Sequence, residues 1–350
     1  MASNPGGRAA LRRCATLTGV TTPTGDRTAP GVCVLGLGLI GGSLLRALDR
    51  AGRPAFGWNR SAATVDAAAA AGHDADTDLS AVLARAAQQD ALVVVATPTP
   101  IVGEILAQVA RHAPGCALTD VVSVKQAVAD AVAERGLSAR YVGGHPMAGT
   151  SRSGWDATDP DLFVDAPWVV CADDDTDPMV WSTVADVALA VGARVVPVAT
   201  EDHDPLVAAI SHLPHLTAAV TATVGAGPGD LALRLAAGSF RDGTRVAGTA
   251  VDLQRAMIEA NGPAVLTLLS EAIDRLTAAR DELRDSGTVH TLVEDGHRAR
   301  TRWDAMRGAD PEPIVDVTVG SDGWAAELRR QAHLGRVWTG PGQTRRDSPG

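Results

Sequence analysis

The sequence predicts an α/β domain built on a doubly wound parallel sheet, followed by an all-helical domain. Three observations predict it. From residue 31 to about 199, short apolar runs alternate with helical stretches at the spacing of βαβ units. A glycine fingerprint follows the first run and opens the first helix. From about Thr200 the strands stop and helical segments follow one another. The 350 residues are too many for one ordinary core, and a 45% hydrophobic content suffices to fill two.

Residues 1–29 are rich in Gly, Thr, Pro and Arg without a period and read as a disordered tail. "VCVLGLG" reads as a buried strand, and "LIGGSLLRALDRAG" as a helix ending at Gly52. "AFGWN" is a second strand and "AATVDAAAAAG" a helix. A helix near 78–88, the strand "ALVVVAT", the helix "PIVGEILAQVARHA", the strand "CALTD" and the helix "VKQAVADAVAERG" continue the alternation. "RYVGG" then leads into a histidine loop, "GGHPMAGT". "PWVVCA" and "ARVVPV" add two strands around a helix near 178–191, closing a domain of residues 30–199. Helices over 201–225, 229–236, 250–260, 262–285 and 288–306 form the second domain, 200–306. Long apolar helices without a sheet bury their faces against a second subunit, so a homodimer through this domain is expected. "PIVDVTVGSDGWAAELRRQAH" predicts a strand–helix unit in a C-terminal extension, 307–350, to which the sequence assigns no role.

A net charge of −10 argues against nucleic acid and anionic membranes as partners, while local arginines still allow an anionic small molecule. The four cysteines, Cys14, Cys33, Cys116 and Cys171, show no CxxC or zinc spacing and suit a reducing cytoplasm. The sequence shows neither a run of about 18 apolar residues nor a signal-peptide core, so no membrane span is expected.

Gly36, Gly38 and Gly41 form GxGxxG between a strand and a helix, the context a dinucleotide site requires. Gly36 allows the tight turn, Gly38 the approach of a pyrophosphate, and Gly41 close helix–strand packing. Leu39 and Ile40 lie in the first helical turn, whose free N–H groups favour an anion. The second strand ends in Trp58, Asn59, Arg60 and Ser61, without a carboxylate. Asn59 can bond a ribose hydroxyl, and Arg60 with Ser61 can hold a 2′-phosphate. NADP is therefore expected, with NAD use left open. "ATPTP" ends the strand from Ala91, so Thr97 and Pro98 either line the cofactor or make a plain turn.

His145 follows "RYVGG" at the carboxyl edge of the sheet, where a histidine can take the proton of an alcohol as hydride leaves carbon. Ser123 ends the neighbouring strand and can orient the imidazole or a substrate hydroxyl. "SHLPH" places His212 and His215 on one helical face around Pro214, which predicts a kink. HExxH and a third ligand are lacking, so no metal site is read here. "FRDGTR" offers Arg241 and Arg245 after a glycine turn, either of which can grip a carboxylate.

Taken in order, "VLGLGLIGGSLLRAL", "TDVVSVK", "GGHPMAGTSRSGW", "SHLPH" and "FRDGTRVA" resemble the prephenate/arogenate dehydrogenase family over residues 31 to 285. The resemblance implies a Rossmann-like domain joined to a helical dimerisation domain. It implies oxidative decarboxylation of prephenate to 4-hydroxyphenylpyruvate in tyrosine biosynthesis, or of arogenate to tyrosine. On this resemblance His145 is the catalytic histidine and Ser123 its neighbour. His212, His215 and the loop through Thr150 line the substrate, and Arg245 rather than Arg241 takes a substrate carboxylate. Asp156, directly after a Gly-Trp pair, matches a position where an acid favours arogenate. Two positions depart from the family pattern: Ser151 replaces a glutamate found in some members, and Asn59 an aspartate found in many. A related imine or hydroxyacid oxidoreductase would carry a catalytic lysine in the helical domain, and residues 201–306 contain none. A silent nucleotide sensor would not need His145, Ser123 and Arg245 together.

Overall fold

The computed structural model describes residues 30–150 and 152–342. The expected disordered tail, with Cys14, lies outside the described residues, as does Ser151. Six parallel strands form the main sheet: β1 (Val32–Leu35), β2 (Ala55–Trp58), β3 (Ala75–Asp76), β4 (Leu92–Val95), β5 (Leu118–Asp120) and β6 (Tyr141–Val142), in the order β3-β2-β1-β4-β5-β6. The order reverses between β1 and β4, which opens a crevice at the carboxyl ends of those two strands. Alternation along the pleat feeds two cores. Val32, Val34, Leu92 and Val94 pack into one, and Cys33, Leu35, Val93 and Val95 into the other. Helices α1 (Leu39–Arg50), α2 (Ala62–Ala70), α3 (Leu79–Gln89), α4 (Val102–His112) and α5 (Gln126–Ala133) connect the strands. Asp78 caps α3 by accepting from Ser80 N at 3.0 Å and Ala81 N at 3.1 Å.

Two sequence expectations change here. The histidine segment is a strand, not a loop: β7 (Gly144–Pro146) pairs antiparallel with β8 (Pro167–Cys171), and His145 lies opposite Val169. "PWVVCA" and "ARVVPV" do not extend the main sheet. As β8 and β9 (Arg194–Val198) they form a second, three-stranded sheet with β7, backed by α6 (Pro178–Ala190). Gly143 breaks the chain direction between β6 and β7, and the two glycines let β7 cross the end of β5. A Cβ on Gly144 would lie 2.7 Å from the Asp120 carbonyl oxygen, and one on Gly143 3.1 Å from the Lys125 side chain.

The second domain begins with α7 (Thr200–Val207), continues through a π-helical turn (Ala208–His212) and runs into α8 (Leu213–Ala226). The expected proline kink takes the form of this π-turn. Pro214 has no N–H to give and its ring crowds the carbonyl of Ile210, so the preceding turn widens. The continuous helix Thr200–Ala226 is long and apolar enough by length and composition alone to cross a membrane, its most apolar 18-residue window having a mean hydropathy of 1.3, which by itself is no evidence of a span. It also carries Glu201, Asp202, His203, Asp204, His212 and His215, and it turns His203, Asp204 and His212 into the protein. Then follow α9 (Asp230–Leu235), α10 (Gly238–Thr244), α11 (Val251–Ala260), α12 (Gly262–Ser286) and α13 (His290–Arg307). Phe240–Thr244 of "FRDGTR" thus lie in the short helix α10, and Arg245 opens a 3₁₀ turn (Arg245–Gly248).

Beyond residue 307 the chain returns to the first domain. The expected strand "PIVDVTV" is absent as a strand and contributes single bridges instead: Pro313 pairs with Val337, and Trp338 with Val195 of β9. The predicted helix is α14 (Trp324–His333). Trp324 and Trp338 stack edge-on against Trp181 of α6, at centroid distances of 5.5 and 5.4 Å. The extension therefore completes the core behind the second sheet.

Candidate active site

The crevice beside β1 and β4 has the shape of a nucleotide cradle. Gly36 adopts φ +106°, and a Cβ there would lie 2.7 Å from the Ala96 carbonyl oxygen. A Cβ on Gly41 would fall 1.9 Å from the Gly36 carbonyl, so helix α1 can close on the turn only without a side chain. Gly38, by contrast, faces open space and leads α1 without a side-chain cap or an acid in the first turn. The N–H groups around Leu39 and Ile40 are thereby left for an anion. Thr97 packs its methyl group against Gly36, and its buried hydroxyl has no partner among the described residues. Pro98 leads a single 3₁₀ turn at the same edge. Asn59 uses its side-chain oxygen to accept from Leu37 N at 3.1 Å, bracing the glycine turn and leaving its NH₂ to donate. Arg60 is exposed at the β2–α2 turn, and Ser61 caps α2 through Thr64 N at 3.4 Å. These features fit a dinucleotide, whose pyrophosphate the open backbone at Gly38 and the N–H groups of the first turn of α1 would hold.

His145 stands on β7 and is 8% exposed. Its place is fixed by a buried ion pair. Asp120, at the end of β5, accepts from Lys125 Nζ, from Tyr141 Oη at 2.7 Å and from Val122 N at 2.8 Å, and Lys125 Nζ also donates to the Gly144 carbonyl at 2.7 Å. Lys125, which begins a helical stretch in the sequence, is thus a fully buried tie between β5 and β7.

His145 Nδ1 lies 2.9 Å from His203 Nε2, and His203 Nδ1 lies 2.7 Å from Asp204 Oδ1. Asp204 also accepts from the backbone N–H groups of Lys125 (2.7 Å) and Gln126 (3.0 Å), so it caps α5 from the other domain. Burial pushes the Asp204 carboxyl up, but the bonds from His203 and these two N–H groups outweigh it and hold the group below the usual range. His145 is held well below the ordinary imidazole value by burial first, then by Lys125, His203 and His212. His203 is lowered by burial, partly offset by Asp204.

His212 is fully buried. Asn261 donates to the Asp204 carbonyl at 2.8 Å, which orients its amide, and the same NH₂ faces His212 Nδ1 at 3.1 Å. Nδ1 of His212 is therefore the acceptor and Nε2 carries the hydrogen; that Nε2 is buried without a partner among the described residues. Burial lowers this histidine to about 4, so it is a neutral N–H donor. On an unbroken α-helix His203 and His212, nine residues apart, would face opposite sides. The residue inserted by the π-turn brings them to within roughly 80°. His215 accepts from Gln254 Nε2 at 3.0 Å, and burial and then Arg245 lower its basicity.

The remaining predicted residues separate. Arg241 is exposed and pairs with Asp242 at 3.0 Å, whereas no carboxylate pairs with Arg245 among the described residues. Arg245 borders an open groove with Leu213, Pro214, Thr217 and Val246. Ser123 is half-buried and makes no side-chain hydrogen bond among the described residues; the partner of the His145 ring is His203. The Thr150 hydroxyl closes a local turn by accepting from Arg152 N at 3.2 Å. Asp156 is exposed in a single 3₁₀ turn, Trp155–Ala157, whose Trp155 ring rests where a Gly42 side chain would be, on the first turns of α1. Sequence reasoning missed His203, Asp204 and Asn261. The one available signal was the clustering of "TEDHD", whose His203 lies nine residues before His212 of "SHLPH".

A dinucleotide cradle on a parallel sheet, with a buried imidazole at its edge and a helical domain closing over it, defines a nicotinamide-type oxidoreductase. Residues 45–197 match the family profile for the prephenate dehydrogenase nucleotide-binding domain, and residues 199–295 that for the prephenate dehydrogenase dimerization domain. The chain belongs to the prephenate dehydrogenase family. A prephenate dehydrogenase of Bacillus subtilis is 32% identical over 261 residues, covering 71% of this chain and 69% of the relative. A Corynebacterium glutamicum crystal structure assigned as a prephenate dehydrogenase is 44% identical, covers 89% of this chain and 99% of its own, and superposes with a TM-score of 0.85. That of Synechocystis arogenate dehydrogenase is 31% identical, covers 78% and 99%, and has a TM-score of 0.67.

Proposed function

We propose that this protein is a prephenate dehydrogenase, oxidising and decarboxylating prephenate to 4-hydroxyphenylpyruvate in tyrosine biosynthesis. The observation that carries the reading is His145: its Nδ1 is engaged by His203, and its Nε2 makes no hydrogen bond among the described residues. The nicotinamide cofactor, NADP or NAD, supplies the hydride acceptor when bound. His145 Nε2 takes the proton of the C4 hydroxyl as hydride leaves that carbon. Loss of CO₂ sends its bonding pair into the ring, and the proton returns from Nε2 to the phenolic oxygen. Arg245, without a protein carboxylate, grips a substrate carboxylate, and the His212 Nε2–H offers a second donor. Ser123 and Thr150 line the pocket beside them. The protein works as a homodimer through the helical domain. The free, buried thiols of Cys33, Cys116 and Cys171 suit a reducing cytoplasm.

A second reading, arogenate as substrate, is favoured by Asp156, an exposed carboxylate at the first turns of α1. A carboxylate there gains a charge-assisted bond to an ammonium and nothing from a keto acid. The test is the rate of reduced nicotinamide formation with each substrate, in wild type and Asp156→Asn. Prephenate is expected to be preferred, with little change on substitution. A preference for arogenate that shifts toward prephenate by roughly tenfold in the variant would instead establish the second reading.

A further inference from the structure

We propose that His203 and Asp204 are positioning residues that fix the tautomer of His145, so that its Nε2 is always the basic nitrogen. The proposal rests on the reading of His145 as the base. The chain of contacts has one consistent direction. Both Asp204 oxygens accept backbone N–H groups, from Lys125 and Gln126, so the carboxylate is an acceptor toward every neighbour. His203 Nδ1, 2.7 Å away, must then carry the hydrogen, and the neutral ring leaves His203 Nε2 as an acceptor. That nitrogen faces His145 Nδ1 at 2.9 Å, which must donate to it. The hydrogen of neutral His145 is thereby held on Nδ1, and the lone pair is left on Nε2.

An imidazole suits the middle position because it is neutral and rigid, with a donor and an acceptor on separate ring atoms. His203 is 1% exposed, so water does not compete for either nitrogen. The charged and titratable groups around the pair are Lys125, Asp120, Asp204 and His212. Lys125 opposes a proton on His145, while Asp204, at the far end of the chain, is the negative charge that partly compensates one. The arrangement favours brief protonation and prompt return, as a base that gives its proton back to the product requires. His212 is held in the opposite tautomer by Asn261, so the site presents one fixed acceptor and one fixed donor.

The test uses the full-length protein with ¹⁵N-labelled histidine. Assignment of the His145 signals through His145→Asn should show, in resting wild type at neutral pH, hydrogen on Nδ1 and none on Nε2. His203→Met keeps the volume and removes both polar contacts. It should retain cofactor affinity and lose kcat on the order of 10²-fold, with substrate KM within ~3-fold. His203→Gln, with an amide oxygen for His145 and an NH₂ for Asp204, should recover most of that loss. Hydrogen on Nε2 of wild-type His145, or wild-type kcat in a folded His203→Met, would overturn the proposal. If His203→Met does not fold, the wild-type spectrum decides alone. Undiminished turnover in His145→Asn would instead overturn the base reading, while the tautomer seen in the wild-type spectrum would still decide whether the hydrogen-bond chain runs as proposed.

Discussion

Arg241 and Arg245 look equivalent in "FRDGTR", and only their neighbours separate them. Arg241 is already neutralised by Asp242, while Arg245 stands beside His215 with no carboxylate of its own among the described residues. Arg245→Ala should therefore raise substrate KM by about 10-fold or more, a charge-assisted contact being worth roughly 1.5–3 kcal/mol, and leave cofactor affinity unchanged. Steady-state kinetics with a direct cofactor titration checks this; an unchanged KM would reassign the role to Arg241. At this scale the sequence was legible where a residue type was out of keeping with its surroundings. An imidazole framed by glycines and proline asked for an explanation, and His145 has one. His203 and Asp204 were not legible, because they follow Glu201 and Asp202, acids that look like ordinary partners of the helix dipole, and read as part of the same solvated helix start. Their significance depends on the approach of α5 from another part of the chain. Lys125 was hidden for the opposite reason: nothing local says that a lysine beginning a helix will be fully buried against Asp120.

At the scale of elements, the βαβ alternation and the glycine turn were legible because their causes are local: side-chain period, strand length and glycine spacing. The second sheet was not. Its strands read the same whether they join one sheet or another, and the crossing of β7 over β5 follows from the tight fit of Gly144 against Asp120. The π-turn was visible only as trouble around Pro214. The β2–α2 turn yields a prediction of its own. Asn59 is held to the glycine turn through its oxygen, and Ser61 to the α2 cap, so Arg60 is the one cation among residues 59–61 and the group there best suited to meet a 2′-phosphate. Arg60→Ala should lower kcat/KM for NADP by roughly tenfold, about 1.4 kcal/mol, and leave NAD nearly unaffected. Equal effects on both cofactors would place Arg60 away from the 2′ position.

The whole molecule is unevenly built. The first domain has two full cores, and the C-terminal extension seals one of them with Trp324 and Trp338. From Leu213 to Arg307 the only buried apolar side chains are Ala218, Val265 and Ala279, while Val224, Leu231, Leu235, Leu266 and Leu276 are exposed. A surface this apolar is in keeping with the dimerization-domain profile that residues 199–295 match and with the homodimer proposed above, an expectation the sequence raised through helices without a sheet. Four histidines in and beside the site are lowered by burial: His145, His203, His212 and His215. Each is neutral when folded and takes a proton more readily when unfolded. Their contribution to stability is therefore complete above the unfolded value of about 6.5 and is lost as pH falls below it. For His212, lowered to about 4, protonation is deferred by some 2.5 units, which amounts to roughly 3 kcal/mol lost by pH 4. Asp204, lowered as a carboxylate, adds a loss at still lower pH. Urea unfolding at fixed protein concentration, followed from pH 7.5 to 4.5, should show stability falling through this window. In His212→Gln, whose amide can still meet Asn261, the curve should be lower at pH 7.5 but flatter toward acid. A wild-type curve that is level from pH 7.5 to 4.5 would mean that these histidines are not buried in their neutral forms.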